Sequence, residues 1–203
     1  MPIGQGRRFA SNAGPVLDRI IGGWQIHGVT RIQSGQLVNF GNVRMVGFDK
    51  NDLRDMYFYR FDADNRVTLL PDDVIENTVR AFSVSATSAT GYSDLGVPEG
   101  RYFAPANGPD CIETISGTLG DCGAGEVVFS APMLKLLDIS VVKAVPITGR
   151  VRAEFRIEML NAFNWVNYSP VTGIGDDPTD YEVTGLSGTP TSRIIQLVSR
   201  VTW

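Results

Sequence analysis

The most regular pattern in the chain is an alternation of apolar and charged residues within the segment 133–168. Every second residue from Val151 to Met159 is apolar, and the residues between them are arginines and glutamates. A period of two is that of a β-strand, whose successive side chains point to opposite faces. Residues 137–145 alternate in a similar way, although Lys143 interrupts the apolar set. Because the residues between the two runs read Pro-Ile-Thr-Gly, the pattern predicts a long β-hairpin with a tight turn.

Two further segments, residues 24–40 and 193–203, alternate in the same way and predict two more strands. In the second segment, Ile195, Leu197 and Val201 are in phase with Trp203. Alternating strands with an aromatic residue at the membrane interface are typical of outer-membrane β-barrels. The predicted fold class is therefore all-β, with four strands of an antiparallel sheet.

The charged face of these strands admits two interpretations. In a secreted or periplasmic β-sandwich, the apolar face would lie under a second sheet, and the long loop would bind a glycan or a protein. In a transmembrane barrel, the apolar face would contact lipid and the charged face would line a wet lumen. The barrel interpretation predicts five lumen-facing charges, which are Arg152, Glu154, Arg156, Glu158 and Arg200. An ion-pair ladder explains Glu154 and Glu158 better than a catalytic carboxylate pair, because arginines alternate with them.

The connections between the predicted strands differ greatly in length. The expected order is a periplasmic turn (1–23), a strand (24–40), a large extracellular loop (41–132), a strand hairpin (133–165), a second extracellular loop (166–192) and a final strand (193–203). Short turns at one side and long loops at the other are typical of outer-membrane barrels. The large loop has signals of its own structure. Residues 56–61 and 66–70 predict a small hairpin, and residues 71–82 predict a short helix with acidic residues in its first turn.

Composition and charge narrow the range of functions. The chain is 43% hydrophobic with a net charge of −4, which gives no indication of a nucleic-acid partner. No apolar run approaches the roughly 18 residues that a membrane-spanning helix needs. Residues 1–15 lack the apolar core of a signal peptide. Since an outer-membrane protein must be exported, we expect the chain to be the tail of a longer protein.

The two cysteines, Cys111 and Cys122, have ten residues between them and lie in a glycine-rich part of the large loop. A zinc site would need more ligands than these two and the single His27 provide. A local disulfide is the favoured interpretation, and two unpaired thiols are the alternative. A disulfide would place the loop in an oxidising space such as the periplasm or the cell surface.

The sequence contains no recognisable constellation for catalysis. It has one histidine, no Gly-x-Ser-x-Gly motif, no phosphate-binding loop and no metal-spaced cysteine cluster. We therefore expect no enzymatic activity, no cofactor and no metal. Two acidic groups could touch Ca²⁺ at a surface loop, but solvated turn residues are the favoured interpretation. These groups are Asp62, Asp64 and Asn65, and Asp176, Asp177 and Asp180.

Three stretches of the chain resemble the C-terminal end of TonB-dependent outer-membrane receptors. They are PIGQGRRF with GGWQIHGVTRIQSGQ, LDISVVKAVPITGRVRAEFRIEMLNAFNWVNY, and RIIQLVSRVTW. The most specific element is RAEFRIEMLNAFNWVNY, which is similar to the penultimate strand of that family. The similarity is greatest to the Oar-like group, whose members carry an N-terminal carboxypeptidase-regulatory-like domain.

The resemblance implies a function and a set of partners. The chain would supply the last four strands of a barrel of about 22 strands, located in the outer membrane of a Gram-negative bacterium. The rest of the barrel, the plug and the segment that contacts TonB would lie outside these residues. The barrel-assembly machinery would recognise Ile195, Leu197, Val201 and Trp203 on the final strand. Four strands cannot close a barrel, so the chain alone would transport nothing.

Overall fold

A computed structural model describes residues 6, 8–9, 11–12, 14–110 and 126–203 of the chain. The chain divides into two compact units. The first, here called the sheet unit, comprises Met1–Gln33, Leu134–Asn167 and Ser187–Trp203. The second, here called the loop unit, comprises Ser34–Met133 and Tyr168–Leu186.

Helices and strands occur in both units of the described residues. In chain order they are α1 (Pro15–Ile21), β1 (Trp24–Gln33), β2 (Leu37–Asn39), β3 (Val43–Val46), α2 (Lys50–Met56), β4 (Arg60–Phe61), β5 (Val67–Thr68), α3 (Asp72–Phe82), β6 (Tyr102–Pro105), β7 (Val128–Ser130), β8 (Leu134–Thr148), β9 (Val151–Leu160), a short 3-10 helix (Pro178–Tyr181) and β10 (Ile194–Thr202). None of the helices in this part of the chain is long and apolar enough to cross a membrane.

A four-stranded sheet in the order β1-β8-β9-β10 dominates the sheet unit. All three neighbouring pairs in it are antiparallel. The prediction of four neighbouring antiparallel strands is therefore confirmed. The short helical turn of α1 precedes the first strand and leaves none of its side chains buried.

The first strand is shorter than predicted, because it ends at Gln33 rather than at Phe40. The interruption lies at Gly35, where a Cβ atom would be only 1.8 Å from the carbonyl oxygen of Ala131. Only glycine tolerates so close an approach of two backbones. The following residues pair with a different partner, since β2 is joined to β7 within the loop unit.

The hairpin also differs from its prediction at both ends. Strand β8 runs through Pro146 to Thr148, so the turn consists only of Gly149, which has a φ of 46°, and Arg150. A register shift next to Pro146 accommodates a residue that cannot donate a ladder hydrogen bond. Strand β9 ends at Leu160 rather than near residue 165, because Asn161 takes up a left-handed backbone conformation with a φ of 49°.

The loop unit has a hydrophobic core of the kind found in water-soluble domains. Phe40 lies at its centre, with edge-to-face contacts to Tyr57, Phe103 and Phe129 at centroid distances of 6.2, 5.2 and 5.1 Å. Aromatic pairs in this geometry are more stable than their buried area alone implies. The buried residues of this core are Val38, Phe40, Leu53, Met56, Tyr57, Leu69, Leu70, Val74, Val79, Phe103, Val127, Phe129, Ala131, Val171 and Tyr181.

Two helices and a small hairpin frame this core. Helix α3 confirms the predicted helix, and its first turn carries Asp72 and Asp73 at the positive end of the helix dipole. Helix α2 was not predicted, although Asp49 and Asp52 cap it in the reciprocal arrangement of a capping box. The small hairpin is present but reduced to β4 and β5, because Met56 belongs to α2 instead.

Candidate functional site

The pairing register of the sheet places apolar residues of all four strands on one face, here called the apolar face. Directly opposite residues of an antiparallel pair share a face, so each row can be followed across the sheet. One row consists of Ile26, Val141, Ile157 and Leu197. The adjacent row consists of Gly28, Ile139, Met159 and Ile195. The four strands therefore present one continuous apolar surface rather than four separate stripes.

The opposite side of the sheet, here called the polar face, carries the five charges singled out in the sequence. In the pairing register, Glu154 lies opposite Arg200 and Arg152 lies opposite Thr202. Arg156 and Glu158 lie further along β9, on the same face. The guanidinium of Arg156 lies 3.0 Å from the carboxylate of Glu154 and 3.2 Å from that of Glu158. These contacts link three successive charges along β9. That this face borders a lumen stays a prediction.

In the middle of β9, from Glu154 to Glu158, exposure is the reverse of what a water-soluble sheet shows, although Arg152 nearer its start is exposed. The apolar side chains of Phe155 and Ile157 are 54% and 40% exposed, whereas Glu154, Arg156 and Glu158 are only half-buried rather than fully exposed. A contiguous exposed apolar surface on a protein marks a site of contact with a membrane or a partner. The apolar face therefore has the chemistry of a lipid-contacting surface.

The barrel interpretation implies that every apolar residue of β9 is exposed in the chain alone, and this expectation is wrong at Ala153. Its side chain is 6% exposed, while Val151 and Met159 are half-buried. The register places Ala153 between Val145 and Val201, and both valines are larger than the alanine methyl group. Ala153 is therefore flanked on both sides by larger side chains.

The two outer strands of the sheet are open edges within the described residues. Strand β1 pairs only with β8, and strand β10 pairs only with β9. Every residue of β10 is exposed. The residues predicted to form an assembly signal lie along this edge with large exposed fractions, which are 57% for Ile195, 75% for Leu197, 52% for Val201 and 91% for Trp203. Long bare edges of this kind require a further strand or another cover in a stable protein.

An asparagine-based turn closes the end of β9, and sequence reasoning missed its role. The buried side chain of Asn161 donates from Nδ2 to the carbonyl oxygen of Trp165 at 2.9 Å and accepts from the backbone N–H of Trp165 at 3.0 Å. The backbone N–H of Asn161 donates to Asp138 Oδ1 on β8 at 2.8 Å. Asparagine tolerates the left-handed conformation, so one residue both ends the strand and fixes the turn.

Two further asparagines extend this connection. The side-chain oxygen of Asn164 accepts a hydrogen bond of 2.9 Å from the backbone N–H of Arg193, just before β10. Asn167 forms two hydrogen bonds with the backbone of Lys135 at the start of β8, at 3.0 and 2.9 Å. The repeated asparagines in the segment LNAFNWVN were the available signal, because Asn is favoured in turns where the backbone needs a side-chain partner.

The loop unit contains a pocket of about 460 Å³, a size in the range of small-molecule sites. Its lining combines apolar side chains with a surplus of acidic over basic groups. The lining residues are Asp62, Ala63, Asp64, Arg66, Thr68, Asp72, Ile75, Glu76, Val79, Arg80, Leu95, Pro178 and Glu182. The pocket therefore disfavours anionic ligands and suits a neutral or cationic molecule with an apolar part.

Arg66 organises one wall of this pocket. Its guanidinium lies 2.7 Å from Asp62, 3.3 Å from Asp64 and 2.7 Å from Glu182. Burial would raise the pKa of the Asp62 carboxyl, but hydrogen bonds from Arg66 and from the backbone of Asp64 outweigh this effect and lower it. The Asp62 carboxylate therefore already accepts hydrogen bonds from the backbone of its own turn and from the side chain of Arg66.

The candidate Ca²⁺ groups do not form a metal site in the described residues. No set of three or more His, Cys, Asp or Glu side chains there is arranged to hold a metal ion. Asp177 accepts from the backbone and the hydroxyl of Thr179 at 2.8 Å, and these bonds lower the pKa of its carboxyl. The disulfide predicted between Cys111 and Cys122 lies outside the described residues.

The aromatic residues Tyr57, Phe58, Tyr59 and Phe61, which are clustered in the sequence and could have contacted a ligand, divide into buried or half-buried ones and exposed ones. Tyr57 is buried and donates from its hydroxyl to the carbonyl oxygen of Val171 at 2.8 Å, and burial raises its pKa. Tyr59 donates in the same way to Tyr168 at 3.0 Å. Phe58 is exposed, with the guanidinium of Arg60 3.8 Å from its ring centroid. The tyrosines therefore belong to the packing of the loop unit.

One comparison with known proteins gives a match. The family model described as outer membrane beta barrel domain matches residues 1–196. No curated protein and no solved structure matches the chain. The matched range contains β1, β8 and β9 in full together with the start of β10. The match therefore covers in full three of the four strands whose register produces the apolar face.

Proposed function

The chain belongs to the outer membrane beta barrel domain family, and on this premise we propose that it forms four neighbouring strands in the wall of a TonB-dependent receptor. The observation that carries the proposal is the exposure on β9, where the apolar residues Phe155 and Ile157 are exposed while Glu154, Arg156 and Glu158 are half-buried. Lipid would cover these side chains, and the polar face with Arg156 would border the lumen. The proposed role requires no catalysis, cofactor or metal.

The unequal connections between the strands support the proposed orientation. Only Gly149 and Arg150 separate β8 from β9, whereas the 100 residues of Ser34–Met133 lie between β1 and β8. Outer-membrane barrels have short periplasmic turns and long extracellular loops. The loop unit would therefore face the exterior, and its acidic pocket would be the first candidate for contact with a transported ligand.

The proposal also names the partners of this segment. Bacterial barrels have at least about eight strands, so the open edges of β1 and β10 would pair with other strands of the same protein. A plug and a TonB-contacting segment would complete the receptor. The host would be a Gram-negative bacterium, and lipid would be the partner of the apolar face.

Cell fractionation tests the membrane assignment. We expect the intact protein in the outer-membrane fraction after an alkaline carbonate wash, because an integral barrel resists extraction. A secreted or periplasmic β-sandwich, the second interpretation of the sequence, would be released by osmotic shock. Release would contradict the barrel proposal, as would burial of Phe155 and Ile157 under a second sheet in an experimental structure.

TonB dependence requires a separate experiment. We expect the intact protein to bind the purified periplasmic domain of TonB from the same organism in a pull-down assay. As a control, the periplasmic domain of an unrelated protein should not bind. Failure to bind TonB from an outer-membrane protein of confirmed location would remove TonB dependence and leave the barrel assignment in place.

Two matched variants test the assembly role of the final strand. Ile195, Leu197, Val201 and Trp203 share one parity along the strand, and we propose that the barrel-assembly machinery recognises this row. The variant Trp203→Asp should lower the amount of protein in the outer membrane, and Thr202→Asp on the opposite parity should have a smaller effect. Equal levels of both variants and of the wild type would contradict the proposal.

A further inference from the structure

Helix α1 presents an apolar surface that no other described residue covers. Val16, Leu17 and Ile20 are 75%, 49% and 63% exposed, and none of the side chains of the helix is buried. Residues three and four positions apart lie on the same side of a helix. The three side chains therefore form one apolar stripe, here called the α1 stripe.

The end of this helix is attached to the sheet by two side chains. The indole Nε1 of Trp24 donates to the carbonyl oxygen of Ile20 at 2.9 Å. The ammonium of Lys143 donates to the same carbonyl oxygen at 3.1 Å and also to that of Gly22. The last carbonyl groups of a helix lack intrahelical partners and attract cations. These contacts are here called the lysine latch.

The position of the latch on the sheet relates the helix to the apolar face. Trp24 and Lys143 are opposite each other in the register, in the same row as Phe155. The Lys143 ammonium also lies 5.2 Å from the centroid of the Trp24 ring. A lysine on a lipid-contacting face is costly unless its charge reaches the interface. Tryptophan is enriched at that same level of a membrane.

We propose that α1 is an interfacial helix whose stripe of Val16, Leu17 and Ile20 enters the boundary between lipid headgroups and acyl chains. The occupant is phospholipid, because the latch joins the end of the helix to a row of the apolar face. The inference rests on the proposed lipid contact of the sheet. The latch places the Lys143 charge on helix carbonyl groups at the edge of the membrane, where it does not enter the hydrocarbon.

Spin-label accessibility in the intact protein, reconstituted into phospholipid vesicles, tests this inference. Single cysteines are introduced by Val16→Cys, Ile20→Cys and, as a control on another side of the helix, Asp18→Cys, in a Cys111→Ser and Cys122→Ser background. Labels on the stripe should relax more with oxygen, which partitions into lipid, than with a water-soluble nickel complex. The Asp18 label should show the reverse preference.

An Ile157→Cys label distinguishes failure of this inference from failure of the proposed function. If the Ile157 label relaxes more with oxygen but the labels on the α1 stripe relax more with the nickel complex, the helix faces water and the inference is overturned. Labels on the stripe that are shielded from both reagents would indicate a protein partner and would also overturn it. If the Ile157 label favours nickel, the lipid contact of the sheet itself is wrong.

The latch can be tested with two substitutions at Lys143. Lys143→Met removes the ammonium and keeps an extended side chain, so the Ile20 label should become more mobile and its oxygen preference should fall. Lys143→Arg keeps a cation and should preserve both readouts. Unchanged spectra in the Lys143→Met protein would show that the latch does not hold the helix.

Discussion

The sheet unit and the loop unit belong to one chain but differ in how many apolar residues they bury. The loop unit packs fifteen apolar residues into its main core, as a water-soluble domain does. Among the described residues of the sheet unit, only Leu136, Val142 and Ala153 are both apolar and buried. Ala153 alone of these has the parity of the apolar face, and Leu136 and Val142 lie on the polar face.

The difference shows how one polypeptide adapts to two surroundings. Burial of apolar surface away from water stabilises the loop unit at about 25 cal/mol for each Å². The apolar face of the sheet remains uncovered by protein, so its stabilisation must come from lipid or from another partner. The backbone hydrogen bonds of the strands satisfy the polar groups that lipid could not. The same apolar residue types therefore stabilise the two units by different contacts.

The largest expected effect is on the core of the loop unit. Phe103 is fully buried and contacts Phe40 and Phe48 at 5.2 and 5.0 Å, so Phe103→Ala should destabilise this unit by about 3–5 kcal/mol. Phe61→Ala, at a residue that is 66% exposed, should cost less than about 0.5 kcal/mol. Limited proteolysis of the intact protein in detergent measures the difference. Equal protease resistance of the two variants would contradict the core assignment.

A charged residue introduced on the apolar face should destabilise the sheet unit in the membrane. Ile157 lies in the middle of that face, and Ile157→Arg should destabilise membrane insertion by about 2–4 kcal/mol, because the charge would enter lipid. His27→Arg, on the polar face in the same row as Glu158, should have little effect. Urea titration of the intact protein folded into vesicles compares the two. A water-facing strand would tolerate both substitutions equally.

Substitutions at Asn161 in the asparagine turn should have a smaller effect on stability, and two variants separate its causes. Asn161→Ala removes both side-chain hydrogen bonds to Trp165 and places alanine at a φ of 49°, so it should cost about 2–3 kcal/mol. Asn161→Gly also removes the bonds but tolerates the conformation, and should be less destabilised by about 1 kcal/mol. Thermal unfolding in detergent measures both. If alanine were the less harmful change, the conformational part of the explanation would be wrong.

The smallest expected effect is a pH dependence of the loop unit. The pKa values of Asp62 and Asp177 are lowered in the fold by hydrogen bonds, against the effect of burial. Their stabilisation is therefore fully present above the ordinary pKa of aspartate, roughly 3.9, and is lost as the pH falls towards the lowered values. Protease resistance of the loop unit should therefore decrease as the pH falls below about 4. Asp62→Asn should weaken this dependence, and an unchanged profile would contradict it.

Local patterns in the sequence predicted the strands well. The period of two identified all four strands, and Pro71 with its following acids identified α3. The extension of β1 to Phe40 was wrong because Gly35 interrupts the strand through a contact with Ala131, almost a hundred residues away. The capping box of α2 and the asparagine turn were visible as residues but were not recognised.

The sequence by itself determined which residues alternate, and therefore which side chains share a face of each strand, because a strand's period is a local property. Only the tertiary structure decided the pairing that joins Ile26, Val141, Ile157 and Leu197 into one surface. It also decided the core of the loop unit and the latch between Lys143 and helix α1. These features depend on contacts between residues far apart in the chain, and such contacts have no local period to reveal them.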